Sequence, residues 1–177
     1  MPHIVILHGT RRIGNLSIHV ARFLEGQLQA RPDVTVRLVS LMEVDIPILE
    51  ERNPDPPHPA VAQVAEVLKA ADGVLIVSPE YKNSLPGALK NLLDHLPPAH
   101  FRHKPVGIAT VSSGGFGGLN CLAHLRLIVT SMGGLPTPER FPVSMVQDVF
   151  DAAGNAVDPV GLAGKAKRFL DELLELS

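Results

Sequence analysis

Three short runs, residues 3–8, 74–77 and 105–111, are apolar at nearly every position and rich in Val and Ile. A strand that alternates apolar and polar residues covers a core on one side only. Continuous runs of this kind fit strands buried on both faces, which is the condition of a parallel sheet. Between and after them the apolar spacing changes to that of helices. Val20, Ala21, Leu24 and Leu28 recur within residues 16–29; Val61, Val64, Ala65 and Leu68 repeat the pattern; Ala88, Leu89, Leu92, Leu93 and Leu96 give a third helix. A mostly apolar helix is predicted over 119–132, and Leu162, Ala166, Phe169, Leu170 and Leu173 mark the last. Residues 34–40 alternate like a second strand, and the final strand is expected within the loop-like stretch up to Val146. Strand followed by helix, about five times over, implies an α/β fold: a parallel sheet covered on both faces through right-handed crossovers. The proline-dense run 53–59 fits a surface loop, and no repeat or linker divides the chain, so one domain over residues 1–177 is expected.

Composition removes several classes of function. Sixteen Lys and Arg against 18 Asp and Glu leave a net charge of −2, which excludes a strongly basic nucleic-acid binder and a cationic membrane surface. A single cysteine, Cys121, excludes a disulfide framework and Cys-rich zinc or iron–sulfur sites. With no basic-then-apolar leader and no long apolar run, no membrane insertion is expected, and the reading is a cytoplasmic protein. Aromatic residues are only 4% of the chain, so Leu, Val, Ile and Ala must fill the core.

In open α/β sheets, ligands bind beyond the carboxyl ends of the strands, where strand order reverses. The loops in those places are the least ordinary parts of this sequence. After the first strand, Gly9 to Ser17 (GTRRIGNLS) combines two turn glycines, hydroxyl and amide side chains, Arg11 and Arg12, and a following helix N-terminus. Those features make a phosphate cradle; an ordinary strand–helix turn with Ser or Asn as N-cap accounts for some of the same residues. The loop is neither G-x-G-x-x-G nor a P-loop, which argues against a Rossmann dinucleotide site and an NTPase. After the third strand, Ser78 to Gly87 (SPEYKNSLPG) carries the only tyrosine, Tyr81, an amphipathic ring suited to a flat heteroaromatic ligand. After the fourth, Ser112 to Gly118 (SSGGFGG) has four glycines in seven residues, which either admit close backbone approach to a ligand or form a mobile loop.

The sequence resembles the NADPH-dependent FMN reductase family, the flavodoxin-like quinone, azo-dye and chromate reductases. The resemblance covers almost the whole chain. It rests on Gly9-Thr-x-Arg-x-Gly-x-x-Ser17, on Pro79-Glu-Tyr with Ser84-x-Pro-Gly-x-Leu-Lys-Asn91, and on the glycine-rich loop from Ser112. It implies a flavodoxin-like three-layer sandwich whose five-stranded parallel sheet runs 2-1-3-4-5, non-covalent FMN, NADPH or NADH as donor, and a homodimer or homotetramer. By position it assigns Thr10, Arg12, Asn15 and Ser17 to the FMN phosphate. It places Pro79, Glu80, Tyr81, Lys82 and Asn83 along the isoalloxazine, and Ser112, Ser113, Gly114 and Gly115 on the flavin's other side. The pattern departs at Lys82, where the family often has Asn, with Asn83 one place later. A cation near the flavin's pyrimidine end would favour the reduced anion.

The implied activity passes electrons by ping-pong from the nicotinamide donor, through FMN, to a small acceptor such as a quinone, azo compound, metal oxyanion or free flavin. No separate acid–base residue is expected, because the cofactor carries the chemistry. The rivals are a one-electron carrier, against which the modest charge and single Tyr argue, and a flavin-binding sensor with little turnover. His8, at the end of the first strand, reads either as a structural or surface histidine or as a group facing the flavin. His95, His100 and His103 lack familiar metal-ligand spacing. Cys121 fits a small packed residue better than a reactive thiol.

Overall fold

The computed structural model describes residues 1–51 and 56–177, so residues 53–55 of the proline-dense run lie outside the described part. The strands are β1 (His3–His8), β2 (Thr35–Ser40), β3 (Gly73–Pro79), β4 (Pro105–Val111), β5 (Leu135–Pro136) and β6 (Phe141–Val143). The helices are α1 (Ser17–Gln29), α2 (Pro59–Lys69), α3 (Gly87–His95), α4 (Leu119–Ser131), α5 (Val146–Val149) and α6 (Pro159–Glu175). Pro59 opens α2 rather than ending a loop, since the first helical position needs no backbone N–H from it.

All strand pairings are parallel, in the order β2-β1-β3-β4-β5, with β6 also on β4. This is the flavodoxin-like order, which reverses between β1 and β3. The fifth position is shared by two short strands instead of one. Pro136, Pro138 and Pro142 explain the split, because proline has no N–H to offer a ladder.

The apolar runs divide residue by residue between two cores. Ile4, Ile6, Leu75, Val77, Ala109 and Val111 face one side, where Val20, Leu24 and Leu28 of α1 and Phe169, Leu170 and Leu173 of α6 cover them. Val5, Leu7, Val74, Ile76, Val106 and Ile108 face the other, against residues of α2, α3 and α4. Each of these apolar residues therefore leaves water whichever way it points, and each buried Leu or Ile contributes about 1.5–3 kcal/mol. Register brings the carboxyl ends of β1, β3 and β4 to one edge, with His8 opposite Val77 and Pro79 opposite Val111. The three unusual loops begin there. Among the described residues no helix is long and apolar enough to cross a membrane.

Candidate functional site

A cleft of about 250 Å³ opens at this edge, at the point of reversal. Of the residues assigned from sequence, Arg12, Asn15, Ser17, Pro79, Glu80, Tyr81, Ser112 and Ser113 line it, together with Gly14, Leu16, Val111 and Val146. Thr10, Lys82, Asn83, Gly114 and Gly115 do not.

The first loop presents backbone rather than side chain. Gly14 has φ +69°, a left-handed turn that lets the chain double back before α1. Asn15 Oδ1 accepts from the amide of Ile18 at 3.1 Å, the reach of an N-cap. The amides of Gly14, Leu16 and Ser17 have no acceptor among the described residues, and all three residues line the cleft. Free amides at a helix N-terminus form an anion site. The two arginines divide their work. Arg11 pairs with the exposed Asp45, and this holds the Asp45 carboxyl below its ordinary range. Arg12 has no carboxylate partner among the described residues, and its guanidinium lies 5.7 Å from the Tyr81 ring centre, over the cleft wall.

Thr10 is buried behind that wall. Its Oγ1 accepts from the Arg12 amide at 3.2 Å and meets the Tyr81 hydroxyl at 3.1 Å, fastening the first loop to the second. In the second loop, Tyr81 and Ser84 exchange backbone hydrogen bonds of 2.9 and 3.1 Å across Lys82 and Asn83, whose φ values are +50° and +62°. Positive φ at both central residues defines a type I′ hairpin turn. The departure at Lys82 falls at a turn position where the backbone itself favours Asn: its short amide tolerates the left-handed region, while Lys is penalised there by about 1–2 kcal/mol. Lys82→Asn is accordingly expected to raise stability by about 1 kcal/mol, seen as a higher urea midpoint with an unchanged m value. A lower midpoint would count against the turn assignment.

Glu80 joins the second loop to β4 and α4, the elements that flank the third. Its backbone N–H donates to Val111 O at 2.8 Å, and its Oε2 accepts from the Cys121 amide at 2.9 Å. Gly118, the residue before α4, has no side chain to cap that helix, so Glu80, 41 residues before Cys121, supplies the carboxylate. Cys121 is fully buried beside Ser78, and burial pushes its thiol up to about 11. It is a packed thiol and not a nucleophile.

In the third loop, the Ser112 amide donates to Val143 O and the Ser112 hydroxyl to Gly114 O, both at 2.9 Å. A side chain at Gly114 or Gly115 would meet nothing within 4 Å; one at Gly117 would strike Pro142 at 2.8 Å. The glycines that the fold requires are thus the last two, at φ +63° and +79°.

His8 is the residue whose importance the sequence left open. It is fully buried behind the first loop, with Nε2 at 2.9 Å from Ser17 Oγ and 3.1 Å from Asn15 Oδ1, and Nδ1 at 2.9 Å from Ser40 Oγ. Its partners lie 7, 9 and 32 residues away in sequence, so no local pattern announces them.

A flavin mononucleotide asks for an anion site, a polar stretch and a flat slot, and the free amides with Arg12, the Asn15–Ser17 wall and the Pro79–Tyr81 strip opposite Ser112–Ser113 match those needs. A family model described as NADPH-dependent FMN reductase matches residues 2–148. An NADPH azoreductase from Bacillus sp. (strain OY1-2) is 36% identical over 124 residues, which span 70% of this chain and 66% of that protein. A quinone reductase from Escherichia coli (strain K12) is 37% identical over 129 residues, 71% of this chain and 68% of that one. Among solved structures, the flavoenzyme NAD(P)H:(acceptor) oxidoreductase FerB from Paracoccus denitrificans superimposes with a TM-score of 0.80 at 21% identity, covering 99% of this chain and 98% of that one.

Proposed function

The chain belongs to the NADPH-dependent FMN reductase family, and from that premise we propose that it binds FMN in the cleft above β1, β3 and β4 and uses NADPH or NADH to reduce a small, flat acceptor. The observation that carries this reading is the convergence, in one cleft, of three free amides, Arg12 and the Tyr81 strip. When bound, FMN would supply the redox chemistry of a ping-pong, two-electron transfer from the nicotinamide donor to a quinone, an azo compound, a metal oxyanion or free flavin.

The protein's own part is binding and orientation. The Gly14, Leu16 and Ser17 amides and the Arg12 guanidinium hold the phosphate by charge-assisted hydrogen bonds. Thr10 and Asn15 shape this cradle from behind: one binds Tyr81, the other the amide of Ile18. Pro79, Glu80 and Tyr81 line one side of the ring slot and lead into the Lys82–Asn83 turn; Ser112 and Ser113 line the other and lead into Gly114 and Gly115. We place all of this on a single cytoplasmic domain, residues 1–177, that pairs with further copies. The groove between α3 and α4, where Leu127 is 71% exposed beside Leu85 and Ile128, offers the apolar face for that contact.

The test is a visible spectrum of protein mixed with FMN, desalted, and then given NADPH without oxygen. Retained flavin bands that bleach are expected; flavin lost on desalting overturns the reading. Bands that stay after NADPH would turn it into an electron carrier or sensor. The same preparation is expected to elute as a dimer or tetramer, and elution at the monomer mass of 19.0 kDa overturns the pairing.

A further inference from the structure

We propose that His8 is a positioning residue of the anion loop: its Nε2–H holds the Ser17 oxygen so that the single Ser17 hydroxyl proton is free to turn to a ligand's phosphate. The inference rests on the FMN reading above and deepens it.

The directions of the hydrogen bonds follow from what each atom can do. Asn15 Nδ2 lies 2.7 Å from the Arg12 carbonyl, which only accepts, so the amide is fixed with Oδ1 toward His8. That Oδ1 also only accepts, so His8 Nε2, 3.1 Å away, carries the ring proton, which it shares between Asn15 Oδ1 and the nearer Ser17 Oγ at 2.9 Å. Nδ1 is then the acceptor and takes the Ser40 hydroxyl at 2.9 Å, while Ser40 Oγ accepts from the Met42 amide at 3.2 Å. The result is a one-way chain, from Met42 N–H through Ser40 and His8 to Ser17 Oγ, each oxygen accepting one proton and passing its own onward.

Ser17 stands at the end of this chain. Its Oγ accepts from His8 at 2.9 Å and donates to Asn15 Oδ1 at 2.8 Å. Asn15 Oδ1 is oversupplied: His8 Nε2, Ser17 Oγ and the Ile18 amide all reach it, at 3.1, 2.8 and 3.1 Å, and it has two lone pairs. Ser17 can therefore withdraw its proton and leave no buried acceptor unmatched. The residue lines the cleft beside the free amides of Gly14 and Leu16, where a phosphate oxygen would take that proton. A neutral imidazole suits the task, since a second ring proton, on Nδ1, would face the Ser40 hydroxyl proton and turn that link around. Burial, with the Arg22 cation of α1 adding to it, keeps the ring neutral.

The experiment compares FMN with riboflavin, which lacks the phosphate, by flavin fluorescence quenching. Proteins are wild type, His8→Leu, His8→Gln, Ser17→Ala and the double variant His8→Leu/Ser17→Ala. His8→Leu is expected to weaken FMN binding by roughly ten- to a hundredfold while leaving riboflavin affinity unchanged, which also certifies the fold. His8→Gln, which keeps an N–H donor, recovers most of the loss. The double variant binds FMN no more weakly than Ser17→Ala alone, because the two residues act as one unit. The ³¹P resonance of bound FMN shifts in His8→Leu toward its position in Ser17→Ala. Equal losses for FMN and riboflavin, or losses that add in the double variant, overturn the proposal and leave the FMN reading standing. Wild-type protein that binds neither flavin overturns that reading and the proposal with it.

Discussion

Gly117→Ala is expected to destabilise the fold by about 2–5 kcal/mol, measured as a fall in the urea midpoint at constant m. Two costs combine. The residue has φ +63°, where an L side chain is penalised by about 1–2 kcal/mol. Its new methyl group would also stand 2.8 Å from Pro142 Cβ and 3.3 Å from the Pro142 carbonyl carbon, and overpacking of this kind costs about 1–3 kcal/mol. Moving the backbone to relieve the clash would disturb the 2.7 Å hydrogen bond from the buried Thr110 hydroxyl to Gly117 O. Gly114→Ala is the control: no left-handed φ, nothing within 4 Å of the added carbon, and an expected change within about 0.5 kcal/mol. Similar effects for the two substitutions would refute the distinction between shape-setting and open glycines.

The second large effect is on pH. Taking the protein from pH 7.5 to 5 is expected to remove about 2 kcal/mol of folding stability through His8 alone, and about 3 kcal/mol by pH 4. Burial first, then the Arg22 charge, lowers the His8 pKa from 6.5 to about 4 against the raising effect of the Asn15 hydrogen bond. Between those two values the unfolded chain binds a proton that the folded chain refuses. Stability therefore falls as pH falls, and the loss is complete below about 4. Asp45, Asp151 and Asp171, each held below 3.8 by its hydrogen bonds, lose their contributions at still lower pH. The upper window is thus the histidine's. Urea titrations of wild type and His8→Gln should diverge as pH drops from 6.5 to 4; parallel curves would show that His8 does not titrate as its surroundings require.

Sequence patterns revealed the elements whose burial is local in origin. Runs 3–8, 74–77 and 105–111 are apolar on both faces because both faces are covered, and their ends located the cleft. The last strand was not resolved by pattern, since prolines at 136, 138 and 142 cut it into pieces of two and three residues paired with β4. In the site, legibility failed wherever a side chain reaches across the fold. Nothing near Glu80 signals that its carboxylate caps α4, and nothing near His8 signals Ser40. The departure at Lys82 was visible as a mismatch, but its physical meaning needed the backbone angles of the turn.

The Tyr81–Thr10 and Glu80–Cys121 hydrogen bonds tie the second loop to the first loop and to α4, and the two second-loop residues that make them are adjacent. Lys82 and Asn83 follow immediately, in a turn closed by its own backbone bonds. The tip is therefore insulated from the latches. Replacements there that accept positive φ can change the charge and size of the turn while the cleft walls stay in register, so a lineage of such proteins can vary this tip without first rebuilding the cleft.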